Sequence, residues 1–229
     1  MSVFDGIPFF AGLDPIRAES FARQCARKRY AEEELVLDFD DHSTDVYFIV
    51  SGDVRVLIRT AAGKEMIFGD FGPGKFFGEM AAIDGAKRSA NVTALTNAEL
   101  LIVPPGAFRE IVLHAPDIAE RLLRLLTARV RELNIRLFER SVLDLRHRLY
   151  SELLRMSAPR KGHDGQAIVS PPPFQHDLAS RIGCRREQVS RELGAMVEEG
   201  LAEKIRGGLV LPQPGVLQKR VRDAMNEAE

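Results

Sequence analysis

Two short stretches concentrate side chains able to do chemistry. The first, FFGEMAAIDGAKRSANV at residues 76–92, places Gly78 and Glu79 ahead of the pair Arg88-Ser89 in an apolar, glycine-marked segment. A guanidinium and a hydroxyl both donate to an anionic oxygen, the first by a charge-assisted bond and the second by a neutral one. A carboxylate cannot serve that anion, so Glu79 either accepts from another part of a ligand or closes on Arg88 as a salt bridge that plugs the segment. Gly78 lets the backbone approach a ligand, and the amides that follow, through Glu79, Met80 and Ala81, can form a nest of positive polarity.

The second stretch, QHDLASRIGCRREQVSRELGAMVEEGLAEKIRGGLVL at residues 175–211, reads as helix, tight turn, helix and hairpin. Leu178, Ala179 and Ile182 form one apolar face, Gly183 permits the turn, and Val189, Leu193, Met196 and Val197 continue the face on the second helix. Gly207-Gly208 closes a two-residue hairpin between EKI and LVL. The pattern predicts a winged helix-turn-helix. Arg185, Arg186, Glu187, Gln188, Ser190 and Arg191 are left exposed on the N-terminal half of the second helix, the end that reaches base edges in a major groove. Arginine can bond guanine bidentately and a carboxylate can accept from cytosine. An ordinary solvated face carrying the same charges is the plain alternative.

These stretches need elements to hold them. The chain has 229 residues and 45% hydrophobic content, enough for two domains with a core each. Its net charge of −1 gives no global polycationic signature, so any DNA contact must come from local charge. Residues 145–229 carry fourteen Lys plus Arg against eleven Asp plus Glu, a net of +3. Residues 34–104 read as short strands punctuated by glycines, which predicts a small all-β jelly roll. The stretch DPIRAESFARQCARKRY before them reads as a helix. A long helix over about 117–143 carries Leu123, Leu126, Val130, Leu133 and Leu137 at three-four spacing, a seam that calls for a second helix and predicts a homodimer. Ile118, Leu122, Leu125, Ile135 and Phe138 offer a second apolar face for the roll itself. Asp144 can cap the next helix, with Leu145, Leu149 and Leu153 on one face, so the domains divide as 1–143 and 144–229. The overall class is α+β.

Residues 34–211 resemble a bacterial transcription regulator of the cyclic AMP receptor protein / fumarate-nitrate reduction regulator (Crp/Fnr) family, cyclic-nucleotide branch. FGEMAAIDGAKRSA is similar to that branch's phosphate-binding cassette and GCRREQVSR to its recognition helix. The resemblance implies a cyclic nucleotide, cAMP or cGMP, with its phosphate on Arg88, Ser89 and the amides beyond Gly78, and its ribose 2′-hydroxyl on Glu79. Where the family's cyclic AMP members carry a Thr-Ser pair toward the purine, this chain has Leu133-Asn134; Asn134 can still bond an adenine or guanine edge. Arg129, one turn earlier, is either a neighbour of the base or a solvated helix charge. On DNA, Arg186, Glu187 and Arg191 take the base-reading positions, which implies palindromic TGTGA-like half-sites and RNA polymerase as a further partner. Phe174 stands where a threonine cap is common, so one phosphate contact is expected to be missing.

Other classes fit less well. A β-roll metal dioxygenase needs clustered His and Glu ligands, and only His42 and His114 precede the second domain, so no metal and no enzymatic activity are expected. A nucleotide-binding subunit that touches only protein would need no winged helix. An iron-sulfur sensor would require an N-terminal cysteine set, and a haem sensor a His or Cys near the cassette; Cys25 and Cys184 are isolated and neither cofactor is expected. A family member whose pocket has decayed and answers another signal stays open. No basic leader and no run near twenty apolar residues is present, which points to the cytoplasm and away from a membrane.

Overall fold

A computed structural model describes residues 3–4, 6–60, 63 and 65–227. The chain divides into two compact units, residues 1–129 and 130–229.

The first unit opens with a single turn of 3-10 helix at Pro8–Phe10 and α1 (Pro15–Ala22), whose first turn is capped by Asp14 accepting from the Ile16 and Arg17 amides. The strands are β1 (Ala26–Tyr30), β2 (Leu35–Leu37), β3 (Val46–Ser51), β4 (Val54–Arg59), β5 (Glu65–Phe71), β6 (Phe76–Phe77), β7 (Asn91–Ala94) and β8 (Ala98–Val103). Helix α2 (Glu79–Asp84) follows β6, and α3 (Pro105–His114) and α4 (Pro116–Val142) follow β8. Two antiparallel sheets result, in the orders β1-β8-β3-β6 and β2-β7-β4-β5. Alternation along β3 explains why nearly all of it is apolar. Tyr47 and Ile49 join Tyr30, Val54, Phe77, Val92 and Leu100 between the sheets. Val46 and Phe48 face the other way, onto Phe9, Phe10, Phe76, Phe108, Ile118 and Leu122.

The stretch expected to be helical through Tyr30 ends its helix at Ala22. Residues 26–30 pair with β8 in register from Ala26 opposite Ile102 to Tyr30 opposite Ala98, and Arg27 and Arg29 both bond Glu99. Cross-strand pairing therefore overrides a weak local helix pattern.

The second apolar face expected on α4 holds only in part. Ile118 and Leu122 are buried and Leu125 half-buried, whereas Ile135 and Phe138 are exposed, Phe138 at 50%. At 100° per residue, Ile135 and Phe138 fall off the line of Ile118, Leu122 and Leu125. Of the seam residues, Leu123, Val130, Leu133 and Leu137 are exposed, whereas Leu126 is half-buried and packs against the first unit's helical core.

The second unit takes the end of α4, then α5 (Leu145–Met156), β9 (Ala158–Pro159), β10 (Ala167–Val169), α6 (Gln175–Ile182), α7 (Arg186–Glu198), β11 (Glu203–Ile205), β12 (Gly208–Leu211) and α8 (Pro214–Asn226). The Asp144 carboxylate accepts from the His147 amide at 2.9 Å and caps α5. Leu149, Tyr150 and Leu153 are wholly buried among Leu178, Val189, Leu193, Met196, Leu211 and Leu217. An ion network around the buried Glu139 and Glu152 joins three helices: Arg155 of α5 bonds Glu139 of α4 and Glu152 of α5, and Arg181 of α6 approaches Glu152 at 3.5 Å. The sheet order is β11-β12-β10-β9.

Two details of the winged motif differ from expectation. Ile205 pairs with Gly208, so the two-residue loop is Arg206-Gly207, with Gly207 at φ +86°, a conformation that favours glycine. Val197 is exposed, because the apolar face of α7 turns inward at Val189, Leu193 and Met196.

Candidate functional site

The cassette is assembled by β6, α2 and the loop that follows it. Gly78, at φ +87°, is forced to be glycine twice over. Its backbone is left-handed, and a Cβ there would lie 2.7 Å from the Asp45 carbonyl and 2.8 Å from Arg88 Nη1. The residues after it form six-residue α2 rather than an open turn, with Glu79 and Ala81 buried and Met80 exposed. The amides of that first turn have no acceptor within the helix.

Arg88 is 3% exposed. Its Nε donates to Ser43 Oγ at 3.0 Å, Nη1 to the Gly78 carbonyl at 3.1 Å and Nη2 to the Asp45 carbonyl at 2.8 Å. Three of the five guanidinium N–H groups are thereby engaged. The cation also lies 5.8 Å from the centre of the Tyr47 ring, which stacks on Phe77. Burial draws the Arg88 pKa below the ordinary guanidinium value, against the opposing pull of Tyr47, Asp45, Asp41 and Glu79. Burial likewise pushes the Tyr47 phenol up to about 12.

Glu79 is 2% exposed and its partner is Arg129, not Arg88: Arg129 Nη1 donates to Glu79 Oε1 at 2.5 Å and Nη2 to the Phe76 carbonyl at 2.9 Å. The Arg129 guanidinium rests 5.4 Å from the Phe71 ring centre and 5.6 Å from that of Phe76. Arg129 is thus a built part of the cassette rather than a solvated helix charge. A salt bridge between Glu79 and Arg88 is not formed. Ser89 is exposed and its hydroxyl points at Met80 Sδ, 3.8 Å away. Leu133 and Asn134 lie beyond the boundary of the first unit, both exposed on α4.

On α7 the sequence-expected residues separate into two groups. Arg186, Glu187, Ser190 and Arg191 are exposed on its first turns, and Arg185 is the exposed residue that precedes it. Gln188 is half-buried, and its side-chain carbonyl accepts from the Arg185 amide at 3.0 Å. That bond closes the helix start, a capping role in place of the expected exposed one. Phe174 precedes α6 without a side-chain cap, 69% exposed and stacked on His176. Among the described residues no group of three or more His, Cys, Asp or Glu could hold a metal ion, and no helix is long and apolar enough to cross a membrane.

Sequence reasoning missed Ser43, Asp41 and Asp45, which hold Arg88. The only signal was the polar run DFDDHSTD directly ahead of a buried strand.

A roll that buries an arginine and a glutamate beside a left-handed glycine, joined by one chain to a winged helix with exposed arginines, defines a DNA-binding regulator with a cyclic nucleotide-binding domain. Comparison with known proteins agrees. Residues 27–115 match the cyclic nucleotide-binding domain and residues 147–220 the Crp-like helix-turn-helix domain. The cyclic AMP receptor protein of Thermus thermophilus is 30% identical over 217 residues, 93% of this chain and 96% of that protein. A CRP-like cAMP-activated global transcriptional regulator of Mycobacterium tuberculosis is 26% identical over 192 residues, covering 83% and 86%. The solved structure of the c-di-GMP responsive global regulator CLP of Xanthomonas campestris aligns with a TM-score of 0.70 at 25% identity, over 86% of this chain and 99% of that one. The chain belongs to the Crp/Fnr family of transcription regulators.

Proposed function

We propose that this chain is a cytoplasmic, homodimeric regulator whose grip on DNA is set by cAMP or cGMP held in the first unit. Arg88, Ser89 and the amides beyond Gly78 take the phosphate. Glu79, held in place by Arg129, accepts from the ribose 2′-hydroxyl, and Asn134 serves the base. Arg186, Glu187 and Arg191 read TGTGA-like half-sites, with RNA polymerase as the downstream partner. Leu123, Val130, Leu133 and Leu137 form the seam between two copies. The nucleotide biases the break between Val142 and Leu145, which the Glu139–Arg155 pair spans.

The observation that carries this reading is Arg88, a buried cation with two N–H groups left over after three protein acceptors. Keeping a guanidinium out of water is costly, and an anionic ligand is the group that would draw on it. The test is a thermal-shift panel of cAMP, cGMP, c-di-GMP and 5′-AMP. A ligand at 100 times its Kd stabilises the folded protein by about 2.7 kcal/mol. A dose-dependent rise with cAMP or cGMP and none with 5′-AMP is expected. A rise with c-di-GMP alone, or with nothing, would reject the mononucleotide reading.

A further inference from the structure

The loop between β2 and β3 grips Arg88 from both main chain and side chain. The Arg88 amide donates to the Asp41 carbonyl at 2.9 Å, and the Asp40 amide donates to the Arg88 carbonyl at 3.0 Å. Of the three groups that accept from the guanidinium, two are backbone carbonyls of Gly78 and Asp45, and the third is the Ser43 hydroxyl. Ser43 is therefore the only side chain among these acceptors. Its own proton goes to Asp41 Oδ2 at 2.9 Å. Because Arg88 Nε can only donate, the hydroxyl must accept from it and donate to Asp41, so the direction of both bonds is settled. The Asp41 carboxyl sits below its usual pKa first because of the Ser43 bond, so it is ionised and able to accept at neutral pH. Asp40 adopts φ +66°, unusual for a residue other than glycine, where the loop turns back onto Arg88.

We propose that Ser43 is a positioning residue, which together with Asp41 fixes the plane of the Arg88 guanidinium so that its two remaining N–H groups distinguish the two exocyclic oxygens of a cyclic phosphate. The proposal rests on the reading of Arg88 as the phosphate ligand. The Nε bond to Ser43 adds a third hydrogen-bonded point beside the two carbonyl acceptors and so resists rocking of the guanidinium about the line that joins them. Without Ser43 the cation stays buried and still attracts an anion, but its N–H vectors are no longer set against one oxygen in particular.

Phosphorothioate analogues of the cyclic nucleotide test this, since sulfur replaces one exocyclic oxygen in the Sp form and the other in the Rp form. Wild type should discriminate between the diastereomers. Ser43→Ala should lose about tenfold in affinity for the unmodified nucleotide, the scale of one charge-assisted bond, and bring the diastereomer ratio toward one. Ser43→Thr, which keeps the hydroxyl, should restore both. Arg88→Leu should bind neither form. An unchanged diastereomer ratio in Ser43→Ala would overturn the assignment, as would loss of affinity accompanied by a thermal midpoint as low as that of Arg88→Leu. Failure of wild type to bind any cyclic nucleotide would overturn the effector reading and the phosphate role of Ser43 with it, whereas binding without diastereomer discrimination would overturn the Ser43 assignment alone. The Arg88 Nε–H signal in nitrogen-15-labelled protein should be protected from solvent exchange in wild type and Ser43→Thr and lose that protection in Ser43→Ala. Equal protection in all three would reject the positioning role outright.

Discussion

The cassette and the start of α7 use the same two residue types in opposite surroundings. Arg88 and Glu79 are withdrawn from water and tied to Ser43, Gly78, Asp45 and Arg129. Arg186, Glu187 and Arg191 stand in solvent, the last with only a loose 3.8 Å approach to Glu192. A buried arginine whose orientation is already set discriminates by geometry, and its charge is little affected by salt. Exposed arginines keep their rotamer freedom and hydration until DNA arrives, and their contribution falls as salt rises. On the proposed reading, the chain separates a site that would recognise the shape of a small anion from a surface that would recognise a long polyanion.

In the proposed dimer, the largest effect on this contrast should come from the seam, which would decide whether two reading helices act together. Glu placed at both Leu133 and Leu137, of which Leu137 is 67% exposed, should leave each unit folded and yield monomers in sedimentation. The monomer should lose on the order of 100-fold in affinity for a paired site, since the second half-site no longer benefits from effective concentration. Persistent dimers would place the interface elsewhere. Leu126 is unsuitable for the same experiment, being packed against the first unit's own core.

A smaller effect separates the two arginines directly. Arg88→Leu strips two backbone carbonyls and a hydroxyl of their donor in a buried setting, and should cost about 3 kcal/mol of stability as well as nucleotide binding. Arg191→Ala should leave the melting temperature where it was and weaken DNA binding instead. Glu187→Ala is expected to relax preference at one base pair per half-site by about 1 to 3 kcal/mol, read by competition among single-base variants. Equal stability loss in Arg88→Leu and Arg191→Ala would erase the contrast between buried and exposed sites.

Much of this arrangement is visible in the residues themselves, and the pattern of what is not has a physical cause. Strands β2 to β5, β7 and β8 are legible because alternation and glycines are local signals, and α4 because its apolar spacing runs unbroken. Strand β1 is not, since ARKRY takes its conformation from β8, about seventy residues away. Helices α3 and α8 carry weaker local signals, a proline in the first turn and one buried pair each a turn apart, Phe108 and Ile111 in α3 and Leu217 and Val221 in α8. In the cassette, residue types point to Arg88 and Glu79, but the partners of each are set by tertiary packing. Ser43 precedes Arg88 by 45 residues and Arg129 follows Glu79 by 50, and no spacing rule connects them. Gln188 shows the converse: its position on the reading helix suggests exposure, while a purely local bond to the Arg185 amide draws it into the helix cap.

Control of DNA binding by a nucleotide is measured most directly by fluorescence anisotropy of a labelled duplex carrying two TGTGA-like half-sites, titrated with wild-type protein alone and with saturating cAMP or cGMP. Coupling free energies of about 1 to 3 kcal/mol correspond to a tightening of about 5- to 150-fold, and linkage requires the duplex to tighten nucleotide binding by the same factor. Identical DNA affinity with and without both nucleotides would contradict the account.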